Sequence, residues 1–241
     1  MPDLVSVPEA AQILEVGQSR ILQRIHDGSL PAEKIGNHWA IERSDVQRCR
    51  RSSEPGRPLS AKSSWDLIAV ALNDQTADEL SPWAKSRARS RLRNLLAHSD
   101  YASLDDLPGL IEHALRNRAE RRIFVASPGD LPEIRDDPRV HLSGVSLPDS
   151  NMSAGDAAEG YVARADLDPV IEEHLLTPAS RARANVFLHV VDPAASWAQA
   201  ALSQVARSPL ALAADLAEHG GIREADQAAV LLQLLKAKTL P

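Results

Sequence analysis

Between Gln18 and Arg24 the chain places five side chains able to donate hydrogen bonds, Gln18, Ser19, Arg20, Gln23 and Arg24, around the apolar pair Ile21 and Leu22. Glutamine matches the N6/N7 edge of adenine and arginine the O6/N7 edge of guanine, the pairings by which side chains read bases in the DNA major groove. A few residues on, Lys34, Asn37, His38 and Arg43 supply groups suited to phosphate oxygens, which position a protein on DNA without reading sequence. This is recognition chemistry rather than bond-making chemistry.

Sets that could make or break bonds are weaker. Asp136 with Asp137, Asp166 with Asp168, and Glu172, Glu173 and His174 bring acids together, but helix-start capping and solvated faces account for each. His189 alternates with apolar neighbours and reads as a core-edge residue. Ser143-Gly144 and Ser146 do not form a GxSxG nucleophile elbow. The chain has no P-loop, Rossmann glycine set or zinc-ligand spacing, and Cys49, which follows the reader helix, reads as structural. The sequence therefore predicts no enzyme, no cofactor and no metal.

The elements that must position the recognition residues follow from periodicity. Ser6 and Glu9 have capping-box spacing, after which Ala10, Ala11, Ile13 and Leu14 line one face of a short helix. The pattern breaks at Glu15, Val16 and Gly17, then restarts with Ile21, Leu22 and Ile25 and stops at Gly28. Gln18, Ser19, Arg20, Gln23 and Arg24 thus form the outward face of a second helix. Pro31 to Ile35 and His38 to Ile41 flank the turn signal Gly36-Asn37, predicting a hairpin, and a third helix begins near Ser44 with Val46 in the core.

The ordered run Glu9-Ala10-Ala11, Leu14, Val16, Ile21, Ile25, Gly28, Leu30-Pro31-Ala32, Lys34-Ile35-Gly36, Trp39, Ile41 and Asp45-Val46 resembles the excisionase and MerR-like winged helix-turn-helix family. The resemblance covers about the first 50 residues and implies double-stranded DNA as partner, with the second helix in the major groove and the hairpin as a wing on the backbone. One such module reads little DNA, so a homodimer on a repeated operator is expected.

Composition bounds the rest. Hydrophobic residues make up 44% of 241, enough for real cores, while 3% aromatic content leaves those cores to Leu, Ile, Val and Ala. The single cysteine rules out an internal disulfide. The N-terminus lacks signal-peptide character and no stretch has membrane-spanning length, so the expectation is a soluble, cytoplasmic protein with no membrane partner. The net charge of -6 is unevenly spread: residues 1–58 carry 8 basic and 8 acidic side chains, 59–125 carry 10 and 9, and 126–241 carry 9 and 16. Such asymmetry points to different partners for the two ends.

The predicted organisation is a DNA-binding domain over 1–50, a Pro- and Arg-rich linker over 51–60, a helical segment over 61–120 and an acidic mixed α/β domain over 121–241, together an α+β fold. Trp65, Ile68, Ala69 and Leu72 predict a helix from Ser63. Ser81-Pro82 starts another, with Trp83, Ala88, Leu92, Leu95 and Leu96 as its buried stripe. On that helix Lys85, Arg87, Arg89, Arg91 and Arg93 read as a solvated face, with auxiliary phosphate contact as the functional alternative. Farther on, strands are predicted at Arg122 to Ala126, Val140 to Leu142 and Ala184 to Val191. The turn-rich SPGDLPEIRDDP separates the first two, and helices are predicted at Asp166 to Leu176, Pro209 to Glu218 and Arg223 to Lys236.

Gly56 to Ser60, Asp130 to Pro132, Leu142 to Gly144, Ala184 to Val190 and Pro209 to His219 resemble, more diffusely, the linker and C-terminal domain of larger bacterial antitoxins of the VapB type. That resemblance implies a protein that represses its own operon and neutralises a toxin, a PIN-domain ribonuclease first and a nucleotidyltransferase next. On charge grounds the acidic domain would cover such a toxin's cationic surface, and an arginine such as Arg181, Arg183 or Arg207 would occupy its acidic centre. The alternatives are a stand-alone transcriptional regulator, including one with a dimerisation or ligand-sensing domain, or an excisionase-like recombination factor.

Overall fold

A computed structural model describes residues 4–14, 16–26, 30–36, 38–51, 57–72, 77–78, 80–97, 107–150, 152, 156–192 and 201–239. They form two compact units, Met1–Gly56 and Arg57–Pro241. The expected helix stop at Gly28, the turn residue Asn37 and linker residues 52–56 lie outside the described residues.

In the first unit, β1 (Leu4–Ser6) runs into α1 (Val7–Ile13), followed by α2 (Gln18–His26), β2 (Glu33–Ile35), β3 (His38–Glu42) and α3 (Arg43–Arg51). The capping box forms: the Ser6 backbone N–H donates to Glu9 Oε2 at 2.8 Å and Glu9 N–H donates back to Ser6 Oγ at 3.4 Å. The Ser6 backbone N–H and hydroxyl both serve the Glu9 carboxylate, which holds its pKa below the usual range. The three strands form an antiparallel sheet in the order β1-β3-β2. β1 has too few residues to show a period of two, and pairing with β3 makes it a strand, Val5 opposite Ile41. Val5, Ala10, Ala11, Ile21, Leu30, Ile41 and Val46 close the core.

The second unit contains α4 (Ala61–Leu72), α5 (Pro82–Ala97), α6 (Leu107–Leu115), β4 (Glu120–Val125), α7 (Leu131–Asp136), β5 (His141–Leu142), β6 (Ala158–Ala163), α8 (Leu167–Glu173), β7 (Thr177–Pro178), β8 (Val186–Val191), α9 (Leu202–Val205), α10 (Pro209–His219) and α11 (Ile222–Thr239). Its sheet has the order β5-β6-β8-β4-β7, with β6 and β8 parallel and the other pairs antiparallel. β8 is central and buried along its length, as its near-continuous apolar run requires. Val186, Leu188 and Val190 face one core with Leu131, Ile134, Leu167 and Val170. A second core joins α4, α5 and α6 to α10 and α11, so the helical segment of 61–120 and the acidic part after 121 share one interior.

Four details depart from the sequence reading. The turn-rich segment after β4 contains α7: Pro132 occupies its first turn, where no N–H is needed, and Leu131 and Ile134 are buried three apart. The helix expected over Asp166 to Leu176 ends at Glu173, because Leu175 takes a left-handed φ of 50° and turns the chain toward β7. Strand β6, with glutamate, glycine and tyrosine at its centre, carries no clear alternation. Finally, Trp83 is not in the buried stripe of α5. The four-spaced row Ala84, Ala88, Leu92 and Leu96 is buried, while Trp83 lies one residue off that row, 68% exposed, with the Arg87 guanidinium 3.8 Å from its ring centroid.

Candidate nucleic-acid interface

In α2, Ile21 is fully buried, and that anchor fixes which side of the helix faces outward. Gln18, Ser19, Arg20 and Gln23 are exposed, whereas Arg24 is half-buried in the last turn. Arg20 and Gln23, three apart, are linked: Arg20 Nη1 donates to Gln23 Oε1 at 2.7 Å. The turn before the helix is held by backbone, with Gly17 O accepting from Arg20 N–H at 2.9 Å. No acid stands in the first turn of α2, so its N-terminal partial positive charge is unopposed by its own side chains.

The hairpin places Lys34 opposite Trp39, and the Lys34 Nζ lies 5.9 Å from the Trp39 ring centroid. Trp39 also packs edge-on to His26 of α2, centroids 6.3 Å apart, which ties the hairpin to the helix. Lys34 and His38 are exposed. Arg43 is half-buried at the start of α3 rather than in the hairpin, and its charge helps to lower the Glu9 pKa. Asn37 is outside the described residues. Thus Ser19, Arg20 and Gln23 stand exposed on the side of α2 away from Ile21, Gln18 is exposed at the helix start, and Lys34 and His38 stand on the hairpin packed against the helix.

The second unit contains a constellation that the sequence reading missed. Strand alternation points Glu159 and Tyr161 of β6 and His189 of β8 to the same side of the sheet, and helical spacing puts Asp215, Glu218 and His219 of α10 on one face. Glu159 is fully buried and accepts from His189 Nε2 at 2.9 Å, His219 Nε2 at 2.8 Å and the Val145 N–H at 2.8 Å. Arg118, 2% exposed, donates to Asp215 Oδ1 from Nη2 at 2.5 Å, to Glu218 Oε1 from Nη1 at 2.5 Å and to the Tyr161 hydroxyl from Nε at 2.8 Å. Tyr161 Oη donates to Asp215 at 2.8 Å, and Ser143 Oγ bonds the other Asp215 oxygen.

Burial opposes charge on Glu159, yet His219 and His189 hold its pKa well below the ordinary carboxylate value. Burial likewise opposes charge on Glu218, where Arg118 lowers the pKa, and it raises that of Tyr161, which stays a neutral donor. His189, expected at a core edge, is therefore fully buried inside an ionic network. Most of its donors and acceptors face one another, and Glu218 Oε2, which has no hydrogen-bond partner among the described residues, has the Arg121 Nε 3.4 Å away, so the set reads as a fold-fixing network. Among the described residues no group of three or more His, Cys, Asp or Glu is arranged to hold a metal ion. Arg181 is also engaged: its Nη2 donates to the Glu218 carbonyl at 2.8 Å and to that of His219, closing the C-terminal end of α10. Arg183 and Arg207 are exposed.

Residues 4–52 match a family model described as a helix-turn-helix domain. The matched segment spans the first unit from β1 through α3, so the N-terminal unit is a helix-turn-helix module of the DNA-binding kind. No curated protein and no solved structure matches the chain. No helix among the described residues is long and apolar enough to cross a membrane.

Proposed function

We propose that the protein is a DNA-binding transcriptional regulator that reads its operator with α2 and steadies itself on the phosphate backbone with the β2–β3 hairpin as a wing. The observation that carries this reading is the division of α2: a fully buried Ile21 on one side, and Ser19, Arg20 and Gln23 exposed away from it, with Gln18 exposed at the helix start. The equal charge of residues 1–58 limits what one module can gain from phosphates, so the protein acts as a homodimer on an inverted repeat, with half-sites about one helical turn apart or a multiple of that. Selection of operator sequences from a random pool, followed by footprinting, tests this directly. Arg20→Ala and Gln23→Ala should each lose about 1 to 3 kcal/mol at the selected site and relax base preference there. Because the two side chains are hydrogen-bonded, the double variant should lose less than the sum. Lys34→Ala should weaken all sequences alike and flatten the salt dependence. Equal, sequence-independent losses for all three would refute the reading-helix assignment.

In the finer reading, the protein is the antitoxin of a toxin-antitoxin pair: the head represses the operon and the second unit binds the toxin, a PIN-domain ribonuclease or a nucleotidyltransferase. The specific support is the acid excess after residue 126, 16 acidic against 9 basic residues, which complements the cationic surface that an RNA-binding toxin needs. Arg183 and Arg207 are exposed and are the arginines to enter an acidic toxin centre, whereas Arg181 serves α10. We read the role as one of binding rather than catalysis, since most of the ionisable groups of the second unit's cluster are engaged with one another. Co-expression of the full chain with the product of an adjacent gene should restore growth that this product arrests, and the two should co-purify. Absence of both would leave the regulator without the antitoxin, and loss of recombination in place of repression would identify an excisionase-like factor instead.

A further inference from the structure

Along α11, Ile222, Asp226, Val230, Leu234 and Lys238 stand four residues apart and all are exposed. Ile222 is 83%, Val230 46% and Leu234 57% exposed, while Ala228, Leu232 and Leu235 bury the opposite side of the helix. Residues at this spacing form one continuous ridge on a helix, and ridges of this kind pack side by side in the commonest class of helix pair. A helix face meant only for water would carry polar residues at the centre of its ridge. Here the centre is apolar and the flanks carry opposite charges, acid toward the N-terminus and base toward the C-terminus.

That order is self-complementary. Rotating a second copy about a twofold axis that passes between Val230 and Leu234 runs the helices antiparallel. Val230 of each copy then meets Leu234 of the other, and Asp226 of each meets Lys238 of the other, because both pairs are centred on the same point of the helix. Such mirrored pairing is what a closed, isologous dimer requires. Surrounding charge favours it as well. Leu234 also walls an open groove of about 700 Å³ between α4, α5 and α11 that Arg89, Arg93 and Lys238 line. Positive charge therefore gathers around the C-terminal half of the ridge, where the second copy's Asp226 arrives. We infer that the Asp226-Val230-Leu234-Lys238 ridge of α11 is a homodimer interface and that its occupant is the same ridge of a second copy.

This surface deepens the dimeric part of the proposed function. The test is sedimentation of the full chain without DNA, with circular dichroism to verify that each variant is folded. The wild type should be a dimer, and Val230→Glu with Leu234→Glu should leave a folded monomer of unchanged far-UV spectrum whose melting no longer depends on protein concentration. Asp226→Lys alone and Lys238→Asp alone should each raise the dimer dissociation constant at least about tenfold by setting like charges together. The double swap in one chain should bring it back toward the wild-type value. Asp226 and Lys238 are about 18 Å apart along their own helix, so that recovery reports a contact between copies. A monomeric wild type would overturn both this surface and the dimeric reading of the operator. A dimer indifferent to the ridge substitutions, or single swaps that the double swap does not rescue, would overturn the surface and leave the dimeric reading standing.

Discussion

Replacing Arg118 with methionine is expected to lower the stability of the second unit by about 3 to 5 kcal/mol, the usual effect of removing one partner from a buried ion pair. The guanidinium is 2% exposed and bonds Asp215, Glu218 and Tyr161. Methionine keeps much of the apolar stem and so preserves packing around α6 and α10. It removes the one guanidinium or ammonium hydrogen-bonded to Asp215 among the described residues, leaving His189 Nε2 3.7 Å away, and Asp215 has no exposed surface. Asp215 would retain Tyr161 and Ser143 as donors, which spread its charge without neutralising it. The loss should therefore be read as the penalty of stranding a carboxylate, and Arg118→Met combined with Asp215→Asn should recover part of it. Urea titration followed by far-UV circular dichroism measures both variants. A loss below about 1 kcal/mol for Arg118→Met, the scale of an exposed pair, would show that the network is more hydrated than its burial indicates.

The residues of that network explain how far the sequence could be read. The helix-turn-helix head was legible because its signals are local: the Ser6 cap, the apolar spacing through Ile21 and the hairpin all lie within a few residues of the contacts they specify. In the second unit β8 and α10 were legible for the same reason, the first as an apolar run and the second with Pro209 at its start and Gly220 in a left-handed C-cap after its end. The network was not, since Arg118 and Asp215 are 97 positions apart and Glu159 and His219 are 60 apart. One trace was present: Asp215, Glu218 and His219 fall on a single face of a helix otherwise apolar on every side, and a helix buried over most of its length must pair such residues. What sequence spacing could not supply was the partner strand, because β6, with Glu159, Gly160 and Tyr161 at its centre, has too weak a pattern to announce itself. Trp83 failed differently. A large aromatic next to a helical stripe reads as core, but a shift of one residue turns it about 100° around the helix and into solvent.

Gly144→Ala carries the second large expectation, a loss of about 2 to 5 kcal/mol from the same unit, combining a left-handed backbone penalty with overpacking. Gly144 has φ of 52°, and a Cβ built there would lie 1.8 Å from Glu159 Oε2 and 2.1 Å from its Cδ. One methyl group therefore cannot be added unless the carboxylate or the backbone moves. Moving the carboxylate breaks its bonds to His219 Nε2 and the Val145 N–H, both made through the same oxygen, and leaves a buried charge short of partners. Moving the backbone disturbs the Ser143 N–H bond to the Glu159 carbonyl, 3.0 Å, which fixes the loop against β6. Gly36→Ala separates the two contributions: its φ is 62°, yet among the described residues nothing lies within 4 Å of an added Cβ, so that variant should lose only about 1 to 2 kcal/mol from the first unit, the left-handed penalty alone. Urea unfolding of the two variants, each read against its own unit, gives the comparison. Equal losses at the two glycines would mean that the Glu159 carboxylate yields freely, and the ring of contacts it makes with His189 and His219 would then be no constraint on the fold.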